Sequence, residues 1–297
     1  MHFYIVTPCF NALSWLARCV RSVADQVSPG VTVHHHVQDG RSSDGTREWL
    51  EQWQREHKGQ PGYRFSFESA PDGGMYDAIN RAWEALPPEA DVTAHLNADE
   101  QYLPGALAAV AERMEKRPAA DIAVGSYLVL DKHYRYICHR RTSLLSATFS
   151  RVICQIITCA CFHRTEAFRR RRVRFDTSYR SLADLIFYRD TLAAGARVMH
   201  MPSLITSAFV VTGGNLSWSV VTEQERERLF AEQPPWLRRL APLLLKLNNA
   251  QYLICDCFCE KPKRYEVYCG EDRTRSLFAI RRPTVRWGMR TEGERDA

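Results

Sequence analysis

Several acids stand where a chain of alternating strands and helices would end its strands: Asp39 in "VQDGRSSDGT", Asp72 in "SAPDGGMYDAINRA", and Asp99 beside Glu100 in "HLNADEQY". A hard cation such as Mg2+ or Mn2+ is held by one or two carboxylates together with phosphate oxygens of a substrate. An acid at the C-terminal edge of a parallel strand reaches the crevice where ligands bind. Asp99 is the candidate for that work; the competing reading makes "NADE" a turn before the helix that Pro104 introduces. Asp39 can accept hydrogen bonds from a base or ribose, with Gly40 and Gly45 letting backbone come close, or it can close an Asx-type turn. In "SAPDGGMYDAINRA" a turn runs straight into a helix, so backbone N–H groups face the crevice. Asp77, Asn80 and Arg81 share one face of that helix, suited to a nucleoside and its phosphate or to a surface triplet with an acid near the helix start. Asp184, in "YRSLADLIFYRDTLAAG", is a general base or the partner of Ser181 in a capping box, with Gly195 ending the helix. Local spacing favours the cap. His163 reads as a packed side chain.

These residues need a scaffold. "FYIVTP", "VTVHHHVQDG", "YRFSFESAP" and "DVTAHLNAD" read as strands. Between them lie helical patterns, the first of which Asn11 can cap. Strands separated by such helices imply right-handed βαβ units, a parallel sheet and an α/β fold. The three adjacent histidines make no metal cluster, because neighbours on a strand point to opposite faces. Further on, "DIAVGSYLVLDKHYRYICHR" reads as a strand pair and "ARVMHMPSLITSAFVVTGGNLS" as extended chain. The tail from about Glu223 reads as helical and basic, with "PPWLRRLAPLLLKLNNAQYLICDCF" a broken, partly amphipathic helix. The first strand lacks both the G-x-G-x-x-G turn and the P-loop, which removes the two commonest nucleotide signatures.

The chain has 297 residues, 45% hydrophobic, and a net charge of +6. That is ample for a sizeable core. Part of the excess charge lies in "RTEAFRRRRVRF", either a solvated face or a phosphate-attracting one. No motif for nucleic-acid binding is visible. "MHFYIVTPCF" reads as a strand and not as a secretory leader, and no apolar run is long enough to span a bilayer. A cytoplasmic chain is expected, with its ten cysteines mostly reduced, packed as small hydrophobes and without zinc-site spacing. Disorder is expected only after Trp287.

Taken in order, "TPCFN", "QDGRSSDGT", "SAPDGGMYDAINRA", "HLNADEQY", "RSLADLIFYRDTLAAG" and "SAFVVTGGNLS" resemble the family 2 glycosyltransferases of the GT-A fold. The likeness is nearest to bacterial members that build exopolysaccharide, capsule or lipopolysaccharide, the colanic-acid type among them. It covers about residues 3–217. It implies a GT-A domain over 1–217, with a nucleotide-sugar half (1–100) and an acceptor half (101–217), and an extension over 218–297. It implies that Thr7, Pro8 and Asp39 line the nucleoside pocket. Asp72, Asp77, Asn80 and Arg81 fall on a second donor-side motif, Asp99 on the metal-binding aspartate, and Asp184 on the catalytic base. The position where relatives often carry His is Cys154 here. Ala70 replaces a common Glu, Glu100 a common Asp, and Arg81 a common Lys.

The chemistry so implied is an inverting displacement. A divalent metal on Asp99 neutralises the departing diphosphate of a nucleotide-sugar, UDP-linked by family analogy, and Asp184 deprotonates the acceptor hydroxyl. The basic, apolar "WLRRLAPLLLKL" suits the surface of an anionic leaflet or a helix packed on the domain. The leaflet reading fits a polyprenyl-diphosphate-linked or glycan acceptor and a peripheral place on the inner membrane face. Two rivals are a catalytically idle nucleotide-binding scaffold and a nucleic-acid-binding protein; the second leaves the acidic crevice unexplained.

Overall fold

The computed structural model describes residues 1–142, 147–153, 155, 157–172, 174–215, 219–270 and 273–287. The first half repeats one unit. β1 (His2–Cys9) leads to α1 (Leu13–Ala24), β2 (Thr32–Asp39) to α2 (Thr46–Glu56), and β3 (Tyr63–Ser69) to α3 (Met75–Glu84) and then β4 (Val92–His95). β1 pairs in parallel with both β2 and β4, and β2 with β3. Phe3, Ile5 and Val33 are sealed under α1, which buries Leu16, Cys19, Val20 and Val23. On the other face Tyr4 and Val6 pack against Ile79, Ala82 and Trp83 of α3. Both faces of these strands are covered, which is why they read as nearly continuous apolar runs.

The second half continues the sheet with mixed directions. It comprises β5 (Gln101–Tyr102), α4 (Ala106–Lys116), β6 (Ile122–Asp131), β7 (Tyr136–Arg140), β8 (Cys161–Arg164), α5 (Thr165–Arg171), α6 (Ala183–Ala193) and β9 (Val198–Val211). Among the described residues the strands form a nine-stranded sheet in the order β3-β2-β1-β4-β8-β6-β9-β5, with β7 on β6. β8 runs antiparallel to β4 and β6 and so joins the two halves. The expected strand pair is β6 and β7.

Several local expectations change. Asn11 does not cap α1. It adopts a left-handed φ of 47°, its side chain accepts from Ser43 N at 2.8 Å, and Leu13 N donates to Asp44 instead. The histidines of β2 divide as strand geometry requires. His34 and His36 share Ser66 Oγ at 2.8 and 2.9 Å beside Tyr4, while His35 bonds Thr7 on the opposite face. The arginine run is largely committed to the fold. Arg170, Arg171 and Arg197 converge on the buried carboxylate of Asp121, Arg174 pairs with Glu84, and Arg169 binds the carbonyls of Leu86 and Pro87. Burial raises the Asp121 carboxyl, and the bonds and charges of Arg197 and Arg171 more than reverse this.

The tail holds α7 (Val220–Ala231), α8 (Pro235–Cys257) and a hairpin, β10 (Arg264–Tyr268) with β11 (Arg275–Ala279). α8 is continuous through Pro242, not broken there. It is fastened to β7 through Asp256, which takes His139 Nε2 at 2.7 Å and Arg141 Nε at 3.4 Å. The hairpin, absent from the sequence reading, docks on the first half. Tyr268 and Gln101 exchange two hydrogen bonds, and Arg275 binds Asp25 at 2.7 and 2.8 Å. Cys159 and Cys161 are buried as expected, whereas Cys257 is exposed. Cys154 and the chain after Trp287 lie outside the described residues.

Candidate active site

The C-terminal ends of β1, β2 and β4 and the start of α3 surround a cleft of about 840 Å³. Its floor is made by Pro8, Cys9 and Gly40, and one wall by Asp72, Gly73, Gly74 and Asp77. Two glycines shape this cleft, one by its backbone conformation and one by close approach. Gly74 opens α3 with φ of 114°, which side-chain-bearing residues avoid, and a Cβ on Gly40 would lie 2.9 Å from Asp72 Oδ2. The backbone N–H groups of Gly73 and Gly74 are held by Asp77 Oδ2 and Asp72 Oδ1, each at 2.8 Å. Arg81 pairs with Asp77 at 2.8 Å and donates to Pro71 O, which fixes the turn from below. Burial and the neighbouring Asp77 push the Asp72 carboxyl up, against the Gly74 bond.

The structure therefore places Pro8, Asp72 and Asp77 on the cleft, and corrects the expected positions of the other donor-side residues. Thr7 is fully buried and points into the sheet, bonded to His35 at 2.9 Å. Asn80 is buried and clasps the backbone of Phe175, giving to its carbonyl and accepting from its N–H. Asp39 is fully buried and accepts from Ser42 N and Ser69 Oγ, the Asx-type alternative. Arg81 supports the turn and does not line the cleft.

A second cavity of about 650 Å³ adjoins the first. Met75, Tyr76, Asn97, Asp99 and Gly214 line both, so Asp99 stands in the neck between them. The turn after β4 is closed without it: Glu100 N donates to Asn97 O, and Asn97 N to Glu100 Oε2. Asp99 accepts one bond from Asn215 Nδ2 at 3.1 Å. Among the described residues no cation lies within ion-pair reach of Asp99 or Glu100. Burial raises both carboxyls, and the charge of Asp99 raises that of Glu100 further.

Asp184 lines the second cavity alone, in the first turn of α6. The capping box with Ser181 does not form. Ser181 Oγ bonds Thr222, and the N–H groups of Arg180, Ser181 and Leu182 are taken by Glu225 of α7 at 2.6 to 3.0 Å. A residue from the tail thus holds the turn that leads into the helix carrying Asp184, and sequence spacing gives no sign of it. Burial pushes the Asp184 carboxyl up to about 6, against the hydrogen bond from Leu185 N and the nearby Tyr76 hydroxyl, which donates to Ser181 O at 2.7 Å. His163 is buried among Phe168, Phe187 and Tyr188, as a packed residue. The far wall of this cavity comes from separated segments: Tyr127, Arg140, Phe209, Tyr252 and Trp287.

Two cavities thus adjoin at the sheet's carboxyl edge, with Asp99 lining both and Glu100 and Asp184 lining the second. Similar solved structures share this fold. The S. aureus TarS 1–349 structure with UDP-GlcNAc matches at 15% identity, covering 86% of this chain and 70% of that one, with a TM-score of 0.59. The same protein with UDP matches at 15% identity over 78% and 70%, with a TM-score of 0.55. The mannosyltransferase PcManGT from Pyrobaculum calidifontis, with GDP-Man and Mn2+, matches at 15% identity over 86% and 75%, with a TM-score of 0.58. No curated protein sequence matches the chain. A family profile described as glycosyl transferase family 2 matches residues 4–175. The chain belongs to that family and is a sugar-transferring enzyme of the GT-A fold.

Proposed function

We propose that the chain is an inverting transferase that moves a sugar from a nucleoside-diphosphate donor in the first cavity to an acceptor hydroxyl in the second. The observation carrying this is the division of acids: Asp99 lines both cavities, while Asp184 and Glu100 line the second only, and Glu100 is engaged in closing the turn by accepting from Asn97 N. A base confined to the acceptor side suits attack from the face opposite the leaving diphosphate. With its carboxyl raised to about 6, Asp184 is ionised at neutral pH yet basic enough to draw a proton from a hydroxyl. The Gly73–Gly74 backbone, held by Asp72 and Asp77, orients the donor. Glu225 and Tyr76 hold α6 and its carboxylate still.

The neck fits a divalent cation. Asp99 is an acid there without a cation partner among the described residues, and the Oδ1 atom of Asn97, which lines the same neck, is buried without a hydrogen-bond partner. Among the described residues no group of three or more ligating side chains occurs, which suits an ion that takes its other oxygens from phosphate. Such an ion, when bound, supplies positive charge for the departing diphosphate. UDP, UDP-GlcNAc and GDP-Man with Mn2+ in the similar structures support a nucleotide-sugar donor and Mn2+ or Mg2+. Calorimetric titration with UDP, GDP and dTDP, each with Mn2+ or EDTA, tests this. Metal-dependent binding of one nucleotide is expected; no binding of any would overturn the reading.

For the acceptor, a glycan or polyprenyl-diphosphate-linked sugar in surface polysaccharide synthesis fits a chain acting at the inner membrane face. Among the described residues no helix is long and apolar enough to cross a membrane. α8, however, exposes Trp236, Leu240, Leu243, Leu247 and Ile254 along one side, with Arg238, Arg239 and Lys246 close in sequence. An apolar stripe with cations beside it lies well on an anionic leaflet. Full-length protein should co-sediment with anionic vesicles, and Leu240→Glu with Leu243→Glu should release it. No sedimentation of the wild type would end the membrane assignment and leave the transfer reading untouched.

A further inference from the structure

The second cavity carries charges of both signs. Asp99, Glu100 and Asp184 line it, and so do Arg140 and Arg226. Arg140 stands on the wall built from β7, α8 and the tail, its guanidinium 3.7 Å from the centre of the Tyr252 ring and its Nη1 donating to Val285 O at 2.9 Å. Its Nε is buried without a hydrogen-bond partner. Among the described residues Arg140 meets no carboxylate, whereas Arg226, the other arginine on the cavity, is paired with Glu223 at 2.6 Å. A guanidinium presents several donors in a planar fork suited to carboxylate or phosphate. Here that fork is laid flat on an aromatic ring and tethered by a carbonyl, so little freedom remains to be lost on binding. Tyr127, which faces Arg140 across the β6–β7 pairing, and Trp287, packed on Phe209, add aromatic surface suited to a sugar ring.

We infer that the acceptor of this enzyme carries an anionic group, a sugar carboxylate or a phosphate, and that Arg140 reads it against the Tyr252 and Trp287 wall. The inference rests on the transfer reading above and names its acceptor class. It also orients the acceptor. The cavity's acids repel the anion and Arg140 attracts it, so it lies beside Arg140 and leaves a neutral hydroxyl for Asp184. The wall that does this is drawn partly from the tail, which gives residues 218–297 a role in acceptor selection.

The test compares three probes on full-length protein with the nucleoside diphosphate and metal present: a nitrophenyl hexuronide, the matching neutral hexoside and a hexose 1-phosphate. Binding is read by saturation-transfer NMR and competition. A charged hydrogen-bonded contact should favour an anionic probe over the neutral one by about tenfold or more. Arg140→Gln should remove that preference, and Arg140→Lys should keep part of it, while nucleotide affinity is unchanged in both. Preference for the hexuronide assigns a sugar carboxylate, and preference for the 1-phosphate assigns a phosphate on the lipid side. Equal binding of neutral and anionic probes, a preference surviving Arg140→Gln, or nucleotide binding with no glycoside binding would each overturn the inference. Absence of nucleotide binding would instead overturn the transfer reading beneath it. If Arg140→Gln lowers the melting temperature enough to unfold the chain, Arg140→Lys and the wild-type probe ratio still decide.

Discussion

The two cavities are built in different ways. The first is built mainly from neighbouring chain: one turn, one helix start and three strand ends supply most of its lining, with Thr177, Tyr179, Arg180, Thr212 and Gly214 added from further on, and its acids Asp72 and Asp77 are tied to the backbone of the Gly73–Gly74 turn. The second is assembled from distant chain, with Asp184 on α6, Arg140 on β7, Tyr252 on α8 and Trp287 near the end. Asp72 and Asp77 of the first shape backbone, whereas Asp184 of the second takes backbone N–H groups, among the described residues, only from the first turn of its own helix. The difference separates residues that hold a substrate in place from residues that react with it. It should show as two patterns of mutational loss.

The sharpest break lies at Asp184. Asp184→Asn keeps the size of the side chain and removes its basicity. Loss of a general base typically costs about 10²–10⁴-fold. Release of nucleoside diphosphate from the donor in the presence of acceptor should fall by that order, while calorimetric affinity for the nucleotide stays at the wild-type level. A parallel loss of nucleotide affinity would return Asp184 to the structural side of the comparison.

Asp99 belongs to both cavities, so its loss should be felt in binding as well as turnover. Even an outer partner of a bound metal is worth about tenfold in affinity, and a direct ligand should exceed that. Asp99→Ala should therefore abolish the gain in nucleotide affinity that Mn2+ gives over EDTA. The residual affinity, held by the turn and Pro8, should be insensitive to EDTA. If the metal-dependent gain persists, the neck is not where the cation sits.

The pH dependence sharpens the same division. Asp184 must be ionised to accept a proton, and its carboxyl is raised to about 6 by burial. Turnover at saturating donor should rise with pH through that value and level off above it. Asp184→Glu should move the midpoint while keeping the shape. A rate that stays constant on acidification through that region would remove Asp184 as the titrating base.

These expectations also show which features the sequence could carry. The α/β order, the strand ends and the turn before α3 follow from hydrophobic periodicity and from glycine, and all are local. Asp99 and Pro8 are readable because a strand end leaves a side chain little choice of where to stand. Thr7 was misjudged because alternation along β1 turns it into the core, one step from Pro8. The capping box at Ser181 does not form because Glu225, far along the chain, takes the Ser181 N–H and Thr222 takes the Ser181 hydroxyl. Arg140, Tyr252 and Trp287 carry no local signal, since a cavity wall has no spacing when each residue comes from a different element. The β10–β11 hairpin was missed for a related reason: its docking on Gln101 and Asp25 involves partners with no fixed offset.

Asn80 gives the smallest expected effect and the cleanest contrast with Asp184. It was read as a donor contact, and its side chain instead bridges the backbone N–H and carbonyl of Phe175 at 3.0 and 2.9 Å. Phe175 lies in the aromatic cluster with Tyr76, Trp83 and Phe187, so this bridge joins α3 to the segment that leads into α6. Asn80→Ala would leave two buried backbone groups without their partner, which costs about 1–3 kcal/mol for each group left unsatisfied. The expected outcome is a lowered melting temperature with nucleotide affinity close to wild type. Any loss of turnover should come through Tyr76 and the placement of α6, and should therefore appear in kcat before it appears in KM for the donor. If nucleotide affinity falls while the melting temperature holds, Asn80 touches the donor, and the first cavity uses its side chains as directly as the second.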